Sequence, residues 1–105
     1  MVAVCAPYII VHTISGVETA FDPEKDAVNT AKHGVSSALA SELEWNDLLA
    51  RPDTRRDYGE LRMIGYVPIG DRVFCVVFTD RDGQRRIISL RKANAREVKR
   101  YASQI

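Results

Sequence analysis

Glu60 and Arg62, in the segment DYGELR, stand two positions apart and share one face if the segment is a strand. A carboxylate beside a guanidinium can take the proton of a ribose hydroxyl while the cation stabilises charge on an attacked phosphate. The same spacing suits a plain cross-strand ion pair, a common use of charged residues on sheet faces. Further along, the stretch from Arg85 to Tyr101 reads RRIISLRKANAREVKRY, with Arg or Lys at seven of its seventeen positions. Arginines on a stiff strand can hold a phosphate bidentately with less entropy to lose than on a mobile tail. Arg86 and Arg91 are therefore candidates to stabilise a phosphorane together with Arg62, while Arg85, Ser89, Lys92, Lys32 and Arg56 can hold flanking phosphates. Arg86 and Arg91 differ in strand parity, so they face one site only if the strand twists or bulges between them, or if Arg91 already belongs to the following helix.

His33 could protonate a leaving 5′ oxygen, since its ordinary pKa lies near neutrality. A histidine in a last helical turn more often caps carbonyls and complements the helix dipole. Tyr58, in a polar loop with Arg55 and Arg56, is the tyrosine best placed to stack on a base, although tyrosine is also a routine packing residue. No metal or cofactor is called for: His12, His33, Cys5 and Cys75 are scattered and match no ligand template. Ser89 lies in a strand pattern without a nucleophile elbow, and glycine-rich phosphate loops are absent.

The elements that must carry these residues follow from local signals. Asp22 can cap a helix from Pro23 to His33 that Gly34 stops. A second helix is expected from Ser36 or Ser37 through Leu48, ended by Pro52. Strands are expected at Leu61–Val67, Arg72–Thr79 and Arg85–Arg91, joined by Pro68–Asp71 and by a hairpin turn at Asp82 and Gly83. A final helix runs from about Asn94 to Ser103. The expected class is α+β: two N-terminal helices, an antiparallel meander of three to four strands, and a C-terminal helix.

A chain of 105 residues suits one domain with a modest core. Its net charge of +1 conceals an asymmetry. Residues 1–54 carry three Lys/Arg against eight Asp/Glu, and residues 55–105 carry twelve against six. One face can thus be positive without the protein being basic, which points to RNA or another polyanion, or else to attraction between the two halves. The opening MVAVCAPYIIV is broken by Pro7 and lacks a basic flank, so it reads as an extra strand or loose extension over residues 1–20, ahead of a domain over 21–105. A reducing cytoplasm suits both cysteines.

Taken together, FDPEKDAVNTAKHGV, RRDYGELRMIGYV and VFCVVFTDRDGQRRIISLRKANAREVKRY resemble the BrnT family of type II toxin–antitoxin toxins, in the family's order, over about residues 21–103. Phe21 stands where the family usually has Trp, and Ser37 where it commonly has Phe. The resemblance implies a RelE-like α/β fold, metal-independent RNA cleavage that slows translation, and neutralisation by a BrnA-like ribbon-helix-helix antitoxin. Operator DNA would be bound only through that antitoxin, and no membrane is implied. The alternative is a non-catalytic RNA-binding or repressor-complex module, a degenerate toxin that binds without cleaving.

Overall fold

A computed structural model of the chain describes residues 9–12 and 18–104, with side chains from residue 18 onward. Much of the expected N-terminal extension, including Cys5, lies outside the described residues. Within them the chain runs β1 (Ile9–His12), β2 (Glu18–Phe21), α1 (Pro23–His33), two 3-10 segments (Ser37–Glu42 and Trp45–Asp47), β3 (Leu49–Pro52), β4 (Met63–Ile69), β5 (Arg72–Arg81), β6 (Gln84–Lys92) and α2 (Ala95–Ala102). The strands form one six-stranded sheet in the order β1-β2-β6-β5-β4-β3. All neighbours are antiparallel except β2 and β6, which run parallel.

α1 begins and ends where its caps dictate. The Asp22 carboxylate accepts from the Glu24 N–H at 3.0 Å, Pro23 occupies the first turn, and Gly34 closes the helix in the left-handed region at φ 77°. Its buried face carries Asn29, whose amide donates to the Leu90 carbonyl and accepts from the Leu90 N–H. The helix thereby takes over part of the hydrogen bonding along β6.

Two expectations are corrected. No second N-terminal α-helix forms, because the segment from Ser37 to Leu48 is pulled into short pieces by nearby donors and acceptors. The Trp45 indole N–H donates to the Ala40 carbonyl at 3.0 Å, and the Glu44 N–H donates to the Pro68 carbonyl at 2.9 Å. Leu43 is extended between the two 3-10 segments. Trp45 in turn packs edge-on against Phe78, with ring centroids 5.8 Å apart. The sheet is also wider than a three- or four-stranded meander: Leu49–Pro52 is a strand paired to β4, not a helix end, and β2 adds a parallel pairing to β6. Pro52 is tolerated because β3 is an edge strand and Pro52 is its last residue.

The expected meander itself forms with small shifts in boundaries. Asp82 (φ 54°) and Gly83 (φ 78°) make the β5–β6 turn, both in the left-handed region that a tight hairpin requires. Phe74, Val76 and Phe78 of β5 point into a core with Val67, Ile87, Leu90, Leu43 and Trp45. Burying side chains such as Phe78 and Leu90 stabilises the fold by roughly 1.5–3 kcal/mol each. Cys75, Val77 and Thr79 alternate onto the opposite face of β5, where they pair with Arg91, Ser89 and Arg86 of β6.

Candidate nucleic-acid interface

Parity along β6 is reset by a β-bulge. Phe78 pairs with Ile87, yet Val77 pairs with Ser89, so Ile88 is the extra residue. Arg86 pairs with Thr79, Ser89 with Val77 and Arg91 with Cys75, and these three partners share one face. The bulge therefore puts Arg86, Ser89 and Arg91 in one row, which regular alternation forbids. Arg85 and Lys92, opposite Asp80 and Phe74, fall on the other face.

Beside Arg86 on that row sits Thr79, whose hydroxyl donates to the Leu61 carbonyl at 2.7 Å. This bond anchors the end of the polar loop over β5. Arg62 and Glu60 follow from it: Arg62 Nε lies 3.8 Å from the Glu60 carboxylate, and the guanidinium carbon sits 4.2 Å from the centre of the Tyr58 ring. Arg62 Nε is hidden from solvent and makes no hydrogen bond. Glu60, Arg62 and Tyr58 thus form one cluster, and Arg86 pairs in register with the Thr79 that holds the Leu61 carbonyl. The Arg86 guanidinium is 3.8 Å from the Asp82 carboxylate. A cleft whose polar lining is Asp22, Lys25, Asp26, Ser37, Glu60 and Arg62 joins the cluster to the start of α1.

Not every candidate comes to this place. Lys32 and His33 end α1, and an 11-residue helix is about 16 Å long, so they stand a helix length from the turn that borders the cleft. Arg56 is exposed on the loop. Arg85 is held by Asp80 through bonds of 2.8 and 3.0 Å and lies over the Trp45 and Phe78 rings, so it seals the edge of the core. Lys92 is exposed on the core side of the sheet.

Arg91 is on the correct face but engaged. Its two terminal nitrogens donate to Glu97 at 2.7 and 2.9 Å, and Glu97 also accepts from the Asn94 N–H and the Tyr66 hydroxyl. This network pins α2 to the sheet. Burial pushes the neighbouring Cys75 thiol up, away from the reactive thiolate. Arg91, ahead of the other donors, holds the Glu97 carboxyl at about 2 against an ordinary 4.5. A depressed folded-state pKa gives stability that is full above pH 4.5 and lost as pH falls from 4.5 towards 2. Because Arg91 is about a third exposed, solvent screening leaves roughly 1–2 kcal/mol of this. Urea unfolding at pH 6 and pH 3 is expected to show wild type losing roughly 60% of that amount more than Glu97→Gln. Equal losses in the two proteins would show that the pair contributes nothing.

Sequence reasoning missed Thr79, Glu97 and Asp53. Asp53 follows β3, and its carboxylate takes Arg55 Nε at 2.8 Å, Arg55 Nη2 at 2.7 Å and the Tyr58 hydroxyl at 3.2 Å. Arg55 first, then its other donors, keep this carboxyl well below the usual carboxylate range. Among the described residues no group of three or more His, Cys, Asp or Glu could hold a metal ion, and no helix is long and apolar enough to cross a membrane.

An α+β domain with arginines, a carboxylate and a tyrosine gathered at one end of its sheet has the groups needed to engage a polyanion. The family model for the BrnT ribonuclease toxin of type II toxin–antitoxin systems matches residues 21–97, and the chain belongs to that family. Membership implies an RNA target and an antitoxin partner. No curated protein matches the chain.

Proposed function

We propose that the protein is a metal-independent endoribonuclease toxin acting in the cytoplasm, where it cleaves RNA by attack of a ribose 2′ oxygen on the adjacent phosphodiester and so slows translation. The observation that supports this most is the grouping of Glu60 and Arg62 on the Tyr58 ring, with Arg86 paired in register with the Thr79 that holds the Leu61 carbonyl. Glu60 takes the 2′ proton as the new O–P bond forms. Arg62 and Arg86 stabilise the charge on the phosphorane oxygens, and the P–O5′ bond breaks with the 5′ oxygen protonated from solvent. Ser89 continues the row along the backbone path, and Tyr58 is the ring proposed to stack on a base. Arg91 serves chiefly to hold α2, while Arg56, Lys32, Arg85 and Lys92 add to the positive field at longer range.

The antitoxin in this reading is a BrnA-like ribbon-helix-helix protein that supplies the operator contacts. The test of the reaction is the chemistry of the product ends. Cleavage in EDTA is expected to leave a 2′,3′-cyclic phosphate and a 5′ hydroxyl, read by mass spectrometry of a short RNA. A 3′ hydroxyl with a 5′ phosphate would mean attack by water and would remove Glu60 from its role. Salt-sensitive RNA binding with no products at all would favour the non-catalytic module.

A further inference from the structure

We infer that Asp53 is the positioning residue of the Glu60–Arg62 pair, acting through Tyr58 and the base of the loop. The inference rests on the reading of that pair as the reactive groups, and adds what sets their geometry.

The segment from residue 53 to 62 has no regular secondary structure, so apart from the Thr79 bond to the Leu61 carbonyl its order rests on bonds within it. Asp53 supplies most of them. Its N–H donates to the Arg62 carbonyl at 2.7 Å, closing the loop at its base. Its side chain, only 2% exposed, accepts from the Arg55 N–H at 3.2 Å as well as from the Arg55 guanidinium and the Tyr58 hydroxyl. One carboxylate therefore fixes the tyrosine at one end while its own backbone fixes the arginine at the other.

The contact between those two ends is the 4.2 Å approach of Arg62 to the Tyr58 ring. The Arg62 head is otherwise lightly held, since Nε has no hydrogen bond and the Glu60 carboxylate is 3.8 Å away. A guanidinium on a flexible stem keeps one direction only if its surroundings choose it. Here the ring does so, and Asp53 holds the ring. The bonds of Asp53 go to Arg55, Tyr58 and the Arg62 backbone, so its effect on the pair passes through the loop.

Asp53→Asn keeps the shape and an acceptor oxygen but removes the charge and one acceptor. It is expected to lower kcat for RNA cleavage about 30- to 100-fold with KM within about 3-fold, because the pair is misplaced while the basic row is untouched. Tyr58→Leu is expected to give a loss of similar size, and the double variant little more than either, as for residues acting as one unit. A readout independent of cleavage is the NMR shift of the Arg62 δ protons, which the Tyr58 ring current moves upfield. Asp53→Asn is expected to return them to the open-chain position in a protein that is still folded by circular dichroism. Absence of cleavage by wild type would overturn the reactive pair, yet the Arg62 shift would still judge Asp53. The inference is overturned if folded Asp53→Asn keeps the wild-type Arg62 shift, or loses activity only in proportion to its unfolded fraction.

Discussion

Arg62→Ala is expected to slow RNA cleavage by about 100- to 1000-fold, the loss typical of removing one donor aimed at developing charge. The expectation comes from how little Arg62 does for the fold. Its guanidinium carries a hidden nitrogen without a hydrogen bond and a 3.8 Å contact to Glu60, a pairing too long to count for much in stability. The side chain is still partly exposed, so its terminal nitrogens, not the hidden Nε, are left for a phosphate. Thermal unfolding of Arg62→Ala should therefore lie within a few degrees of wild type, while single-turnover cleavage collapses. Arg62→Lys is expected to recover little, since an ammonium can neither spread over the Tyr58 ring nor present two parallel donors. A melting temperature that falls sharply with Arg62→Ala would show the residue to be structural instead.

The second large effect separates two candidates for the proton transfer. Glu60→Gln is expected to reduce cleavage by about 100- to 10,000-fold, the range for losing a positioned general base, whereas His33→Gln should stay within about 3-fold of wild type. Both residues have chemistry suited to the step, and only geometry distinguishes them. Glu60 lies beside Arg62 on the cleft that the first turns of α1 border, and His33 lies at the other end of that helix. Parallel rate measurements on the two variants decide it. A large loss with His33→Gln and none with Glu60→Gln would reverse the assignment.

Local signals made part of this fold legible. The limits of α1 follow from Asp22, Pro23 and Gly34, because caps act within a turn and need no tertiary partner. Strands β4 to β6 follow from apolar runs broken by Gly70 and by Asp82–Gly83, since short hairpins are also local. The stretch from Ser37 to Leu48 shows why pattern alone fails. Its leucines and alanines fit a helix, but the indole of Trp45 and the carbonyl of Pro68 decide otherwise, and neither is visible from spacing. β2 owes its place to a parallel pairing with β6 more than sixty residues later.

The candidate site divides in the same way. Residue types singled out Glu60, Arg62 and Arg86 as candidates, and the parity conflict between Arg86 and Arg91 already asked for a twist or bulge. The extra residue at Ile88 meets that condition. What no spacing reveals is which arginines are already engaged: Arg85 by Asp80 on the core side, and Arg91 by Glu97 from α2. The capping box that joins Asn94 and Glu97 can be read from the sequence, but its use as a seat for Arg91 requires the fold.

Glu60, Arg62 and Arg86 are proposed to act together in cleaving RNA without a metal. The most direct measurement is single-turnover cleavage of one labelled RNA in EDTA by purified wild type, Glu60→Ala and Arg86→Ala. Wild type is expected to cleave, each variant to lose about 100-fold or more, and Glu60→Ala still to bind RNA. Wild-type rates in both variants, or cleavage that vanishes in EDTA and returns with a divalent cation, would contradict the proposal.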